Sequence, residues 1–233
     1  MSDASRPGIA LDHLVITAPT LQSGADAVAQ ALGVQLEAGG EHPRMGTHNR
    51  LLRLDGTAYL EVIAIDPAAP PPGRPRWFGL DSRPEAGRDQ PPAALSRLST
   101  WVLRTPDIKA VSGSSTEELG EILSMSRGNL NWLISVPEDG APVMGGVAPT
   151  LIQWQAEPHP ATRLQDQGLA LVKLELFHPA SARVSRLLLS LGFDDPQVVP
   201  LGCSDRAPYL VAHIDTPKGL RTLSFPGVSE SVS

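Results

Sequence analysis

Apolar and polar positions along the chain follow one plan three times. Leu11–Ala18 is an apolar, β-branched run that stops at Pro19 and reads as a strand. Thr20 can cap a helix by accepting from its first free N–H groups. Leu21, Ala25, Val28, Ala29 and Leu32 then recur at helical spacing on one face. Gly33 supplies a left-handed stop. The same order returns at Leu98–Thr105, followed by Pro106, Asp107 and Gly120. It returns again at Leu171–Phe177, followed by Pro179, where Val184, Leu187, Leu188 and Leu191 stripe a helix that ends at Gly192. The intervals from proline to glycine are 14 (19 to 33), 14 (106 to 120) and 13 (179 to 192) residues. The middle helix is the weakest of the three, because Gly113-Ser114-Ser115 interrupts it.

Two or three strand-like runs follow each helix. In the first unit they are His48–Leu54 and Ala58–Ile65, across an Asp55-Gly56 hairpin signal. In the second they are Leu130–Val136 and Thr150–Gln155, and in the third Pro208–Ile214 and Leu220–Phe225. Each unit reads βαβββ or a close variant. The expectation is an α+β fold of repeated βαβββ units, with units at 9–66 and 98–165, a related third unit at 168–227 and a proline-rich loop at 67–97. That loop carries eight prolines between Asp66 and Pro92, together with Arg76, Arg83 and Arg88, so it cannot be sheet interior. Trp77-Phe78-Gly79-Leu80 in its middle reads as an anchor that pins the loop to the core or over a pocket, as a lid or as a linker.

Composition narrows the partners. Nineteen Lys and Arg against 25 Asp and Glu give a net charge of −6, with no basic block, which argues against nucleic acid or an anionic membrane as the main partner. A single cysteine allows neither an internal disulfide nor a cysteine-rich zinc site. No apolar run approaches about 20 residues, and Met1–Pro7 is too polar for a signal peptide, so a cytoplasmic protein is expected. Ten aromatics against 23 Pro and 21 Gly fit short elements joined by many turns.

Repeated βαβββ units resemble the vicinal oxygen chelate superfamily, which includes glyoxalase I, ring-cleaving dioxygenases and resistance-type binding proteins. The strings Leu11-Asp12-His13-Leu14-Val15, Met45-Gly46-Thr47-His48-Asn49, Tyr59-Leu60-Glu61, Trp77-Phe78-Gly79-Leu80, Ser126-Arg127-Gly128 and Leu151-Ile152-Gln153-Trp154 are similar to those of glyoxalase-like domain proteins. The resemblance covers about residues 9–165 and extends to the third unit through its proline–helix–glycine pattern. It implies paired units curled into a cup, with a divalent metal (Fe, Mn, Zn or Ni) held by a first-strand His and a last-strand Glu from each of two units. His13 and Glu61 match in the first unit. The second unit offers Thr100 and Gln153 and the third Lys173 and Ser224, none of them a strong divalent-metal ligand.

Two readings therefore stand. In one, His13 and Glu61 recruit His48 as a third metal ligand. In the other, the cup has lost its metal, and the pair bonds to each other or to a ligand. His48, Asn49, Arg127, Trp132 and Gln153 are candidate ligand contacts, and Arg127 is a candidate anion clamp or simply part of a hairpin turn. His42, His159 and His178 each precede a proline and are expected at turns. Glu61 as base or ligand and His13 as acid, base or ligand would serve a glyoxalase-like enzyme of the lyase, isomerase or dioxygenase type. That enzyme would act on a small oxygen-rich molecule and could form a homodimer. A metal-free protein that sequesters a small molecule is the rival.

Overall fold

Residues 8–56, 58–82, 96–155, 158–204 and 207–224 are described by the computed structural model. Arg83, Arg88 and the end of the Leu220–Phe225 run lie outside these residues. The first strand, β1 (Ala10–Thr17), runs to the Pro19 turn. Thr20 then closes a capping box with Ser23: its hydroxyl accepts from the Ser23 N–H at 3.1 Å and its own N–H donates to Ser23 Oγ at 3.3 Å. Helix α1 (Leu21–Leu32) follows, and Gly33 ends it with a φ of +73°. Strands β2 (Glu37–His42), β3 (Thr47–Arg53) and β4 (Tyr59–Ile65) complete the unit. The second unit is β5 (Arg97–Arg104), α2 (Ile108–Ser114), β6 (Glu121–Arg127), β7 (Leu130–Val136) and β8 (Thr150–Trp154).

Gly120 does not stop α2. The helix ends six residues earlier, at Gly113-Ser114, where glycine and serine favour solvated backbone over further helical turns. Gly120, at φ +96°, serves instead where β6 begins. A Cβ there would lie 2.3 Å from the Pro137 nitrogen, so two backbones cross at a distance only glycine permits.

The two units have the same topology. In each, the first and last strands pair in parallel (β1 with β4, β5 with β8), and an antiparallel β1–β5 pair joins the halves into one sheet of order β2-β3-β4-β1-β5-β8-β7-β6. The sheet curls until its edge strands meet, with Arg44 on the turn after β2 donating to the Ser124 carbonyl of β6 at 2.6 Å. The result is the expected cup, mixed in strand direction. Its outer, helix-covered face and its interior hold separate apolar clusters.

The third segment has the element order βαβββ: β9 (Ala170–His178), α3 (Ser181–Ser190), β10 (Val198–Gly202), β11 (Tyr209–Asp215) and β12 (Arg221–Leu223). Its strand order is different, β10-β9-β11-β12, so the strand parallel to the first is the one directly after the helix. α3 ends in a Schellman motif, in which the Phe193 N–H returns to the Leu188 carbonyl and the Gly192 N–H to that of Leu189, each at 3.0 Å. One face of this sheet joins the outer core of the cup through Leu174, Leu176, Leu210 and Ile214, and Phe193 packs on Trp101 at 5.4 Å. Among the described residues no helix is long and apolar enough to cross a membrane.

Candidate functional site

Alternation along β1 explains why a polar group ends up inside the cup. Leu14 and Ile16 belong to the outer core, whereas Val15 belongs to the interior cluster, so His13, two residues before Val15, faces inward. Continuing that alternation would turn Leu11 inward as well, yet Leu11 packs in the outer core. The phase breaks at a bulge between Leu11 and His13, where Asp12 has no partner on β5. The bulge lets two successive residues, Asp12 and His13, serve one site.

Both are buried, at 0% and 4% exposure, as is Glu61 at 5%. His13 Nδ1 donates to Asp12 Oδ1 at 2.6 Å, and its Nε2 stands 3.6 Å from Glu61 Oε2, an ion-pair contact too long for a hydrogen bond. The Tyr59 ring stacks on the His13 imidazole at 4.5 Å, as its register opposite His13 on the parallel neighbour dictates. Asp12 also accepts from Trp154 Nε1 at 3.0 Å and from His159 Nε2 at 2.8 Å. His159 Nδ1 accepts from the Ala161 N–H, which leaves the ring proton on Nε2, where Asp12 needs it. Asn49 donates through Nδ2 to Glu61 at 2.5 Å and accepts at Oδ1 from the Gly40 N–H at 2.7 Å and from Arg127 at 3.3 Å. Arg127 also donates to His42 Nε2 at 3.3 Å, while His42 Nδ1 meets Thr47 Oγ1 at 3.1 Å.

These contacts set the charges. Burial opposes ionisation of His13, but the Asp12 hydrogen bond and the negative charges of Asp12 and Glu61 outweigh it and push the pKa up to about 9. Burial likewise opposes ionisation of Glu61, and His13, His42 and Asn49 together bring it down to about 2. Asp12 is held well below the usual carboxylate range against its burial, by His13 and His159. His42 goes the other way: burial, helped by the Arg127 charge and only partly offset by Glu61, lowers it to about 4. Burial and the nearby carboxylates raise the Tyr59 phenol well above its ordinary value. At neutral pH the cup therefore holds an imidazolium between two carboxylates, with a neutral His42 beside a guanidinium.

A six-residue strap, Trp77–Ser82, closes the cup. Trp77, Phe78 and Leu80 are buried in the interior cluster, and the Arg76–Asp81 pair at 2.7 Å and the bond from the Gly79 N–H to the Gly140 carbonyl at 2.8 Å fasten it. Phe78 sits at φ +60°, a strained conformation for a residue with a Cβ. The cavity left beneath is about 30 Å³, lined by His13, His42, Asn49, Tyr59, Glu61, Trp77, Arg127, Trp132 and Trp154 among others. That is space for about two waters.

Of the residues singled out from sequence, His13, Glu61, Asn49, Arg127 and Trp132 line this cavity. Two do not. Gln153 falls between the inward-facing Ile152 and Trp154, and its Oε1 accepts from the Ile108 N–H at 3.0 Å, so it caps α2. His48 falls between the buried, inward Thr47 and Asn49, and strand alternation turns it to the opposite face. The expected ligand set of His13, Glu61 and His48 is therefore not assembled, and among the described residues no three His, Cys, Asp or Glu side chains are grouped to hold a metal. Catalytic metal sites use about three protein ligands, and two converge here. The donors present do not fit the implied metal. Thr100, at the second unit's histidine place, spends its hydroxyl on the Gly146 and Ala148 carbonyls. His213 of the third unit bonds Glu175 at 2.9 Å, outside the cup.

Sequence reasoning missed Asp12, His42, Tyr59 and His159. His42 and His159 do precede prolines, but their turns bring them to the site. Tyr59 carried a readable signal, since it lies two residues before Glu61 and must share its face. Asp12 did not, because only the bulge turns it inward.

A cup of paired βαβββ units around a buried His–Glu pair defines a glyoxalase-type protein of the vicinal oxygen chelate superfamily. The model of the glyoxalase-like domain family matches residues 11–192, and the chain belongs to that family. No curated protein matches the chain. Among solved structures, a hypothetical protein from Staphylococcus aureus aligns over 93% of this chain and 86% of its own, at 15% identity and a TM-score of 0.54. That likeness shows the fold. Methylmalonyl-CoA epimerases align over less: the Streptomyces coelicolor enzyme over 63% of this chain and 97% of its own (15% identity, TM-score 0.40), and the Mycobacterium tuberculosis enzyme over 65% and 91% (16%, 0.37).

Proposed function

We propose that the protein is a glyoxalase-like enzyme that moves a proton on a small oxygen-rich molecule, in the manner of an isomerase or lyase. The observation that carries this reading is the buried Asp12–His13–Glu61 chain. Three ionisable groups removed from water cost several kcal/mol each unless paired, and such clusters in a cleft mark working sites. Glu61 is the base and His13 the electrophile. Asp12 fixes the His13 ring at 2.6 Å and leaves Nε2–H aimed into the cavity. A ligand carbonyl that accepts from that N–H is polarised, and the imidazolium stabilises the negative charge that grows on its oxygen when Glu61 takes the adjacent proton. A ligand oxygen that accepts from Nε2–H competes with Glu61, 3.6 Å away, for the imidazolium's charge, and a carboxylate that loses part of its cation's attraction becomes a stronger base. No metal enters these steps.

A metal-free sequestering protein is the second reading, favoured by the ligand-free Glu61 at about 2, a weak base by itself. Deuterium wash-in separates the two. Short 2-oxo and 2-hydroxy acids incubated with chelator-treated protein in D2O and followed by NMR should exchange the hydrogen next to the carbonyl with wild type. With Glu61→Gln the rate should drop by at least about 100-fold, the usual scale of general base catalysis. Binding without exchange supports the sequestering protein, and exchange that requires added metal overturns the metal-free mechanism.

A further inference from the structure

The seam where β2 and β6 meet is built around Arg127. β2 carries a bulge between Ala38 and Glu41 that contains Gly39 and Gly40, and both glycines leave room for side chains from neighbouring strands. A Cβ on Gly39 would lie 2.0 Å from Asn49 Oδ1, and one on Gly40 would lie 2.7 Å from Arg127 Cδ. The bulge is thus a notch that admits the two side chains from β3 and β6. Within it, Arg127 has no carboxylate partner among the described residues and donates to two neutral acceptors, Asn49 and His42, each at 3.3 Å. Asn49 stands between Arg127 and Glu61 and bonds both, which keeps the guanidinium from collapsing onto the catalytic carboxylate. Nearby, Trp77 Nε1 is buried in the cavity wall with no hydrogen-bond partner among the described residues, although a buried N–H is normally satisfied.

We propose that this corner is a carboxylate subsite, in which Arg127 and the Trp77 N–H receive the carboxylate of a short acid that bears a second oxygen at C2. The inference rests on reading the cup as the ligand site and names its substrate class. A guanidinium matches a carboxylate in a way it does not match an uncharged amide. Because Asn49 bonds both Arg127 and Glu61, a carboxylate held at Arg127 would bring the rest of a short acid within one side chain of the His13–Glu61 pair. A short acid already exceeds the cavity of about 30 Å³, so the Trp77–Phe78 strap that lines it must shift outward to admit one.

The test compares pyruvate and lactate with their amides, pyruvamide and lactamide, titrated by calorimetry or NMR into wild type, Arg127→Met, Arg127→Lys, Trp77→Phe and Glu61→Gln. Wild type should bind at least one acid at least tenfold tighter than its amide. Arg127→Met should abolish that preference while leaving the amide affinity unchanged, which a misfolded variant could not do. Arg127→Lys should restore part of it, and Trp77→Phe should lose about threefold on the acid alone. Glu61→Gln should keep the preference while losing deuterium exchange, so the subsite and the proton-transfer chemistry can fail separately. Equal binding of acid and amide, no binding of either acid, or a preference that survives Arg127→Met overturns the subsite.

Discussion

At the scale of single residues, the cup stabilises opposite protonation states in neighbouring histidines, and the protein's pH response follows from that contrast. His13, raised from 6.5 to about 9, contributes stability that is complete below pH 6.5 and disappears as pH rises through 9. His42, lowered from 6.5 to about 4, is folded as the neutral ring. Its contribution is present above 6.5 and is lost as pH falls toward 4, where the unfolded chain takes up a proton the folded one refuses. Glu61 adds a second acid limb between 4.5 and about 2. Thermal melts across pH should peak near neutrality and fall on both sides, and His42→Gln should flatten the decline between about pH 6.5 and 4 while leaving the alkaline limb intact. An acid limb unchanged in that variant assigns the loss to the carboxylates instead. The residues legible from sequence were those that obey strand alternation with a chemical neighbour of the right kind, as His13, Asn49 and Glu61 do. Asp12 obeys neither alternation nor any motif, because its position depends on one unpaired bulge residue.

At the scale of elements, the strands that sequence reading overlooked share a physical reason. β2 is Glu-Ala-Gly-Gly-Glu-His and β10 is Val-Val-Pro-Leu-Gly, and each lies at a sheet edge, where a strand needs hydrogen bonds on one side only and can tolerate glycine or proline. β6 is also an edge and alternates, with Leu123 and Met125 in the cup, but the Gly113-Ser114-Ser115 run and Gly120 upstream of it obscure where it begins. The α1 and α3 helices were readable because capping and the apolar stripe agree, whereas α2 is one short piece capped by Asp107 and Gln153. The β2 notch gives a prediction at this scale. Gly39→Ala places a methyl group against Asn49 Oδ1 and its backbone carbonyl, in rigid surroundings, and should destabilise by about 1–3 kcal/mol, the range for overpacking. Gly40→Ala meets only the flexible Arg127 side chain, so its melting temperature should stay close to wild type while the preference for acid over amide weakens. Urea unfolding and the acid–amide titration distinguish the two, and equal loss of stability in both variants rules out the notch as a device for placing Arg127.

At the scale of the molecule, the third segment has its own sheet but shares its core. The outer apolar cluster runs without a break from Leu14 and Ile16 of the first unit through Trp101 of the second to Leu174, Leu187 and Phe193 of the third. A segment that merely docked beside the cup would bury its own core and present a more polar contact. Here residues of the cup's outer face and of the third segment form one cluster, so the three units should unfold together. Phe193 is the sharpest probe because it is 5% exposed, follows the Schellman turn of α3 and packs on the fully buried Trp101 of β5. Phe193→Ala leaves a cavity at the junction and should cost about 3–5 kcal/mol of unfolding free energy. Tryptophan fluorescence, whose emitters Trp77, Trp101, Trp132 and Trp154 all lie in the cup or its strap, and far-UV circular dichroism, which also sees the third unit, should then shift to lower urea by the same amount in one coincident transition. If the third unit is an independent domain, the dichroism instead loses part of its amplitude early while the fluorescence midpoint stays at its wild-type value. That result would separate the cup from its partner sheet and leave the topology of β9–β12 as an appended fold and not a structural support for the site.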